Sequence, residues 1–175
     1  LKHITFKHQG SNAARNITFA GVTDSVTIDS CIFLGYPGST SYNYSLIYGN
    51  GIDAAGLEIK NSTFIDGGGH AIYLSSSNSS SSPTGLVISG NTITDTYGGI
   101  FAQYYDGVTI RGNMINGSYM HSQGIELRYC DGANVVEDNT IYAPDLSIGI
   151  YLYYCQATSG SEATIVNNLI SVEDY

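Results

Sequence analysis

Glu126 and Arg128 stand two residues apart in the stretch GIELR. In an extended chain, residues i and i+2 share a face, so a carboxylate and a guanidinium would sit side by side. The carboxylate is a candidate general acid or base, and the guanidinium could steady it or fix an anionic group. The competing reading is an exposed ion pair of little consequence. Other titratable groups precede comparable stretches. Asp66 and His70 lie in DGGGH, Asp95 and Tyr97 in TDTYGG, Tyr119, His121 and Gln123 in YMHSQG, and Asp145 in APDLS. Proton-transfer chemistry needs such groups to converge, so the elements that carry them decide what they can do.

Those elements are written as a repeat. Gly-Ile recurs at Gly99, Gly124 and Gly149. Six segments fit the template apolar-x-apolar-x-x-Asn-x-apolar, beginning at Val26, Leu57, Leu86, Val108, Asn134 and Ala163, with Asn134 an imperfect first position. Ile4-Thr5-Phe6 with Gln9 reads as a weaker seventh. The Asn position holds Cys31, Ser62, Asn91, Asn113, Asn139 and Asn168. Alternating apolar residues in short runs, with frequent Gly, argue strands rather than helix. A sandwich also has short strands. A repeat of 22 to 31 residues, with length changes confined to turns, points instead to a solenoid whose rung holds three strands. The expected fold is all-β: a right-handed parallel β-helix of six to seven rungs and three parallel sheets, one domain over residues 1–175. Asn side chains should form an internal ladder, Asp-Gly the turn after the first strand, and Tyr104, Tyr129 and Tyr154 a stacked column.

The register then assigns faces. Ile47, Ile72, Ile100, Ile125 and Ile150 should form one buried column. One outward column is Thr18, Tyr48, Tyr73, Phe101, Glu126 and Tyr151; the other is Asn50, Ser75, Gln103, Arg128 and Tyr153. Exposed aromatics beside amides and hydroxyls suit the C–H faces and hydroxyls of sugar rings. Aromatics that simply stack along a sheet are the alternative. Gly35–Ser45 is an insertion with three tyrosines that should wall this face, and Ser75–Thr84 reads as a low-complexity loop.

This repeat resembles the right-handed parallel β-helix superfamily of pectate lyases, polygalacturonases and related carbohydrate-binding and sugar-hydrolase repeats. In its Ser-, Tyr- and Asn-rich, Lys-poor style it is similar to archaeal and bacterial cell-surface β-helix proteins, including the disaggregatases that methanogens use on their capsular polysaccharide. The resemblance implies a polysaccharide groove along the sheet of outward aromatics. It implies hydrolysis or lyase cleavage, or non-catalytic glycan binding, adhesion or scaffolding. The candidate catalytic residues are Glu126, Arg128, Asp95 and His121; the candidate substrate-binding residues are Tyr48, Tyr73, Phe101, Gln103, Tyr151, Tyr153 and His70. Hydrolysis needs two carboxyls roughly 5–9.5 Å apart, for which Asp95 would partner Glu126. His70 in GGGHAI is slightly like the Gly-His-Gly of polygalacturonases, but the Asn-Thr-Asp, Asp-Asp and Arg-x-Lys elements of that family are missing.

Composition bounds the partners. Six Lys and Arg against 15 Asp and Glu give a formal net charge of −9, which argues against nucleic acid and anionic membranes. No apolar run approaches the roughly 18 residues of a membrane span. Five Asn-x-Ser/Thr sequons, at Asn16, Asn43, Asn61, Asn78 and Asn116, and the hydroxyl-rich surface suit an extracellular or cell-surface setting. Three cysteines are no disulfide framework, and Cys130 and Cys155 should stack as free thiols. No cofactor is expected: there is no compact Asp cluster for Ca²⁺, and His70 and His121 lie two rungs apart. Neither LKHITF nor NLISVEDY reads as a cap. The chain therefore reads as part of a longer protein, with homo-oligomerisation through solenoid ends or faces expected.

Overall fold

The computed structural model describes residues 1–10, 15–21, 23–38, 40–77, 82–117, 123–144 and 148–173. Their strands form three parallel sheets of seven, six and six strands, each strand pairing with its counterpart one rung away. The ladders run Ile47↔Ile72↔Ile100↔Ile125↔Ile150, and the register shift between Asn50 and Ile52 falls at the far end of its strand, after this column. This is the solenoid the repeat predicts, not an antiparallel sandwich. The sheet bearing the outward aromatics is called here the groove sheet. Its strands are Ile17–Phe19, Ile47–Ile52, His70–Ser76, Gly98–Gln103, Gln123–Arg128 and Ile148–Tyr153.

The interior is filled rung by rung. Ile47, Ile72, Ile100 and Ile125 are fully buried, whereas Ile150 is half-buried because it lies on the last described strand of its sheet. On the seven-stranded sheet, Phe6, Phe33 and Phe64 stack with ring centroids 4.9 and 4.7 Å apart. Phe6 pairs with Phe33, so Ile4-Thr5-Phe6 belongs to the second strand of the repeat rather than the first, and Ile4, not Gln9, precedes the strand where Cys31 does. The alternation of the short run is the same in either register, so its pattern could not choose.

The Asn ladder forms as expected. The backbone N–H groups of Ser62, Asn91, Asn113 and Asn139 each donate to the side-chain Oδ1 of Asn91, Asn113, Asn139 and Asn168, all at 3.0 Å. A residue with positive φ precedes each of these: Asn61, Gly90, Gly112, Asp138 and Asn167. That single left-handed residue bends the chain between two sheets and leaves an inward N–H, which the ladder satisfies. Asn134 makes a second, shorter version, its Oδ1 accepting from the Val108 N–H at 2.9 Å and its Nδ2 donating to the Cys130 carbonyl. Its polar side chain in an apolar position is thereby explained.

The Asp-Gly turns carry positive φ at Gly107 and Gly132. Tyr104, Tyr129 and Tyr154 stack at 5.1 and 5.5 Å, each itself in the left-handed region. Ser75 and Ser76 belong to the groove-sheet strand and are buried, so the serine-rich loop begins after them; residues 78–81 lie outside the described residues. The last rung leaves Ile165, Leu169 and Val172 exposed.

Candidate functional site

Gly-Ile sets the geometry of the groove sheet's entry corner. A Cβ on Gly99 would stand 2.1 Å from the Gly124 carbonyl oxygen and 3.2 Å from Ile115. One on Gly124 would meet Gly149 and Ile141 at 2.7 Å, and one on Gly149 would meet Ile170 at 2.4 Å. These positions therefore face inward, as do Ile100, Ile125 and Ile150 directly after them. Two consecutive inward residues break the alternation, and the preceding residue (His70, Gly98 or Gln123) turns outward. Gly98 makes room for the histidine one rung below: its Cβ would come within 2.5 Å of the His70 ring.

The two outward columns have the register expected from the sequence. Tyr48, Tyr73, Phe101, Glu126 and Tyr151 are ladder neighbours, as are Ser75, Gln103, Arg128 and Tyr153. Their exposure differs from the expectation. Tyr48 is 7% exposed, Phe101 5% and Glu126 2%. Stacking is the cause. Tyr48 and Tyr73 lie 5.5 Å apart at 11°, and Tyr73 and Phe101 4.4 Å apart at 3°. Rings one rung apart cover each other's faces and offer edges to solvent. The simple aromatic ladder thus describes Tyr48, Tyr73 and Phe101 better than a flat stacking platform, at about 0.5–1.5 kcal/mol per pair. Tyr151 and Tyr153, half-buried and exposed, remain at the open end.

Further side chains close over the stack. Tyr42, in the short 3₁₀ turn Tyr42–Tyr44 of the Gly35–Ser45 insertion, stacks on Tyr73 at 5.0 Å. The turn is tied to the sheet, because Ser45 Oγ accepts the His70 N–H at 3.1 Å. Arg15 sits 3.8 Å above the Tyr48 ring and donates to the Asn43 carbonyl, while Tyr48 donates its hydroxyl to Asn43 Oδ1 at 3.1 Å. At the other end the Arg128 guanidinium lies 5.7 Å from the Phe101 centroid and 5.9 Å from that of Tyr153. Arg128 Nε donates to Glu126 Oε1 in an ion pair whose carboxylate is buried.

An open depression of about 440 Å³ results. It is lined by His70, Tyr73, Phe101, Gln103, Glu126 and Arg128, together with Tyr42, Tyr97 and Gln123. A neighbouring one of about 510 Å³ shares Gln103 and Arg128 and adds Tyr104, Tyr129, Tyr151 and Tyr153. Six of the eleven candidate site residues thus meet in one depression, and Tyr151 and Tyr153 continue it. Tyr48 lies beneath Arg15, and Asp95 is in neither lining. Asp95 holds a left-handed turn one rung above Asp66, its N–H donating to the Asn116 carbonyl at 3.1 Å. His121, Tyr119 and Asp145 fall outside the described residues.

The electrostatics limit the chemistry. Burial, followed by the nearby Arg128 charge, holds His70 down to about 4, so its ring is neutral near pH 7. Neither ring nitrogen has a hydrogen-bond partner among the described residues. Burial pushes the Tyr73 hydroxyl up to about 12, with Tyr42 and Tyr48 adding to the effect; it is a hydroxyl donor, not a ready base. Glu126 is the sole carboxylate among the lining residues, so the pair required for sugar-bond hydrolysis is not assembled by them. Among the described residues no three His, Cys, Asp or Glu side chains group as a metal site.

Sequence reasoning did not single out Arg15, whose place over Tyr48 depends on a contact across the Asn43 turn. Tyr42, Tyr104 and Tyr129 were legible only as members of an insertion and a column. Their recurrence beside groove-sheet strands was the available signal.

No curated protein and no solved structure matches the chain, and nothing in these comparisons supports kinship with the methanogen disaggregatases. A family described as a right handed beta helix region matches residues 45–173, about three quarters of the chain and nearly all of the groove sheet. With its three parallel sheets, the chain belongs to the right-handed β-helix family.

Proposed function

We propose that the chain is a glycan-binding β-helix module of an extracellular or cell-surface protein, with the outer face of the groove sheet as its binding site. One observation carries the reading: a depression on a rigid sheet lined by tyrosine hydroxyls, two glutamines, a histidine and an arginine, whose single carboxylate is already paired with that arginine. Hydroxyls, amides and spare guanidinium N–H groups suit a ligand that both donates and accepts hydrogen bonds along its length. Tyr151 and Tyr153 add aromatic surface at the open end.

Polysaccharide cleavage is the second reading. It is favoured by the presence of two buried titratable groups, His70 and Glu126, in one depression. Retention on immobilised polysaccharides, combined with an assay of released sugar ends, tests both. Retention without cleavage, weakened at least tenfold in Arg128→Met, supports the module. Cleavage that drops by roughly 10²–10⁴ in Glu126→Gln, the range for a lost proton-transfer group, would establish the second reading instead. Failure to retain any polysaccharide would refute both.

A further inference from the structure

The lining of the depression has a feature that bears on which glycan it takes. Its formally charged side chains are Glu126 and Arg128, and they pair with each other. The adjoining depression adds no further charge. At the corner leading into the sheet, Asp66 and Asp95 occupy equivalent places in successive rungs, their N–H groups donating to the Thr94 and Asn116 carbonyls. The chain as a whole carries −9. An anionic ligand would therefore meet a site of zero net formal charge within a negative field.

His70 points the same way. Its ring is more than nine-tenths buried, lines the depression, and packs at a tilt against the stacked Tyr73–Phe101 pair, 5.8 and 5.7 Å from their centroids. Both nitrogens lack a partner among the described residues. Buried polar atoms are almost always satisfied, so an orphaned imidazole facing a depression marks a ligand's place. A neutral imidazole offers one donor and one acceptor, as a sugar hydroxyl does, whereas a carboxylate can use only the donor. Gln103 adds to this: its Oε1 accepts from Ser75 Oγ at 3.1 Å, which holds the amide with its N–H groups free to turn toward a ligand. The His70 nitrogens are themselves buried, so a ligand hydroxyl reaches them only when a neighbouring lining side chain rotates. Tyr42, 46% exposed on the insertion, is the most exposed of the lining rings, and exposed side chains change rotamer fastest.

We propose that this depression selects a neutral, hydroxyl-rich glycan over an anionic one, with the His70 imidazole exchanging hydrogen bonds with a ligand hydroxyl. The proposal rests on the glycan-binding reading above. It makes Glu126 and Arg128 a self-neutralising pair that positions the arginine's remaining N–H groups, rather than a receptor for a carboxylate.

The test is a binding titration with neutral glucan and mannan oligosaccharides against uronate oligosaccharides of matched length, each at 20 and 500 mM NaCl. The expected result is binding of a neutral chain at least tenfold tighter than any uronate, with less than a twofold change across the salt range. His70→Phe, which keeps a ring against the Tyr73–Phe101 stack, should weaken it at least tenfold while far-UV circular dichroism stays native. Gln103→Leu is the second variant should His70→Phe unfold, and it should weaken binding in the same direction. Tighter uronate binding that falls steeply with salt would overturn the proposal and leave the glycan-binding reading standing. So would neutral binding indifferent to both variants. No binding of either class would remove both.

Discussion

Removing one rung of the Asn ladder should destabilise the solenoid far more than its single side chain suggests. Asn113 is 1% exposed. Its Oδ1 accepts from both the Asn91 N–H and Asn91 Nδ2, and its Nδ2 donates to the Ile88 and Arg111 carbonyls and to Asn139 Oδ1, all within 3.0–3.2 Å. Asn113→Ala would remove these bonds and leave the buried Asn91 N–H with no partner. A buried orphan donor costs about 1–3 kcal/mol and each net hydrogen bond about 1 kcal/mol, so after partial relaxation we expect a loss of roughly 3–5 kcal/mol. At about 2–4 °C per kcal/mol for a chain of this size, the melting point should fall by about 10 °C. Asn168→Ala is the control. Asn168 makes the same contacts to Asn139, but is only half-buried on the last rung, where water can replace it, and should lose about 1–2 kcal/mol. Urea unfolding followed by far-UV circular dichroism measures both. Equal losses at the two positions, or a loss below about 1 kcal/mol at Asn113, would refute the ladder as a main support of the fold.

Three further outcomes follow from the geometry. Because His70 titrates at about 4 when folded against an ordinary 6.5, the unfolded chain takes up a proton that the folded chain refuses; stability present above pH 6.5 should fall by roughly 3 kcal/mol toward pH 4, and unfolding curves of His70→Phe across this window should lack that component. The Cys155 thiol is half-buried and held below the ordinary thiol range by its hydrogen bond with Cys130, whose own thiol is pushed up by that bond and by burial; all three cysteines are free. Iodoacetamide at pH 7 should therefore modify Cys155 well before Cys31 or Cys130, as read by peptide mass spectrometry, and equal labelling of the three would contradict the assignment. Gly99→Ala drives a Cβ against the backbone of the next rung and should cost at least about 2 kcal/mol, whereas Gly107→Ala, at φ 68° with open space around it, should cost about 1 kcal/mol; thermal melts that reverse this order would show that the corner relaxes.

The fold was legible in the sequence because a solenoid writes the same physical demand once per rung. The isoleucine column, the Asn ladder, the Asp-Gly turns and the tyrosine column each repeat, and each takes the place the repeat assigned. The Phe6 segment was misplaced because three alternating residues carry no register of their own. The site was legible to the level of which residues share a face. Their exposure was not: sequence alternation says that Phe101 and Glu126 point outward, but not that Tyr73, His70 and Arg128 would pack over them. Nor does strict alternation predict His70 on this face, because two buried residues in a row, Ala71 and Ile72, follow it, and the missing Cβ of Gly98 one rung away leaves the space its ring fills.

The most direct test of the binding claim is a ¹H–¹⁵N correlation spectrum of the whole chain titrated with a neutral glucan or mannan hexasaccharide. Saturable shifts should concentrate at the amides of His70, Gln103, Gln123 and Arg128, together with the His70 ring nitrogens. Shifts confined to either of the other two sheets, or an unchanged spectrum at millimolar ligand, would contradict the claim.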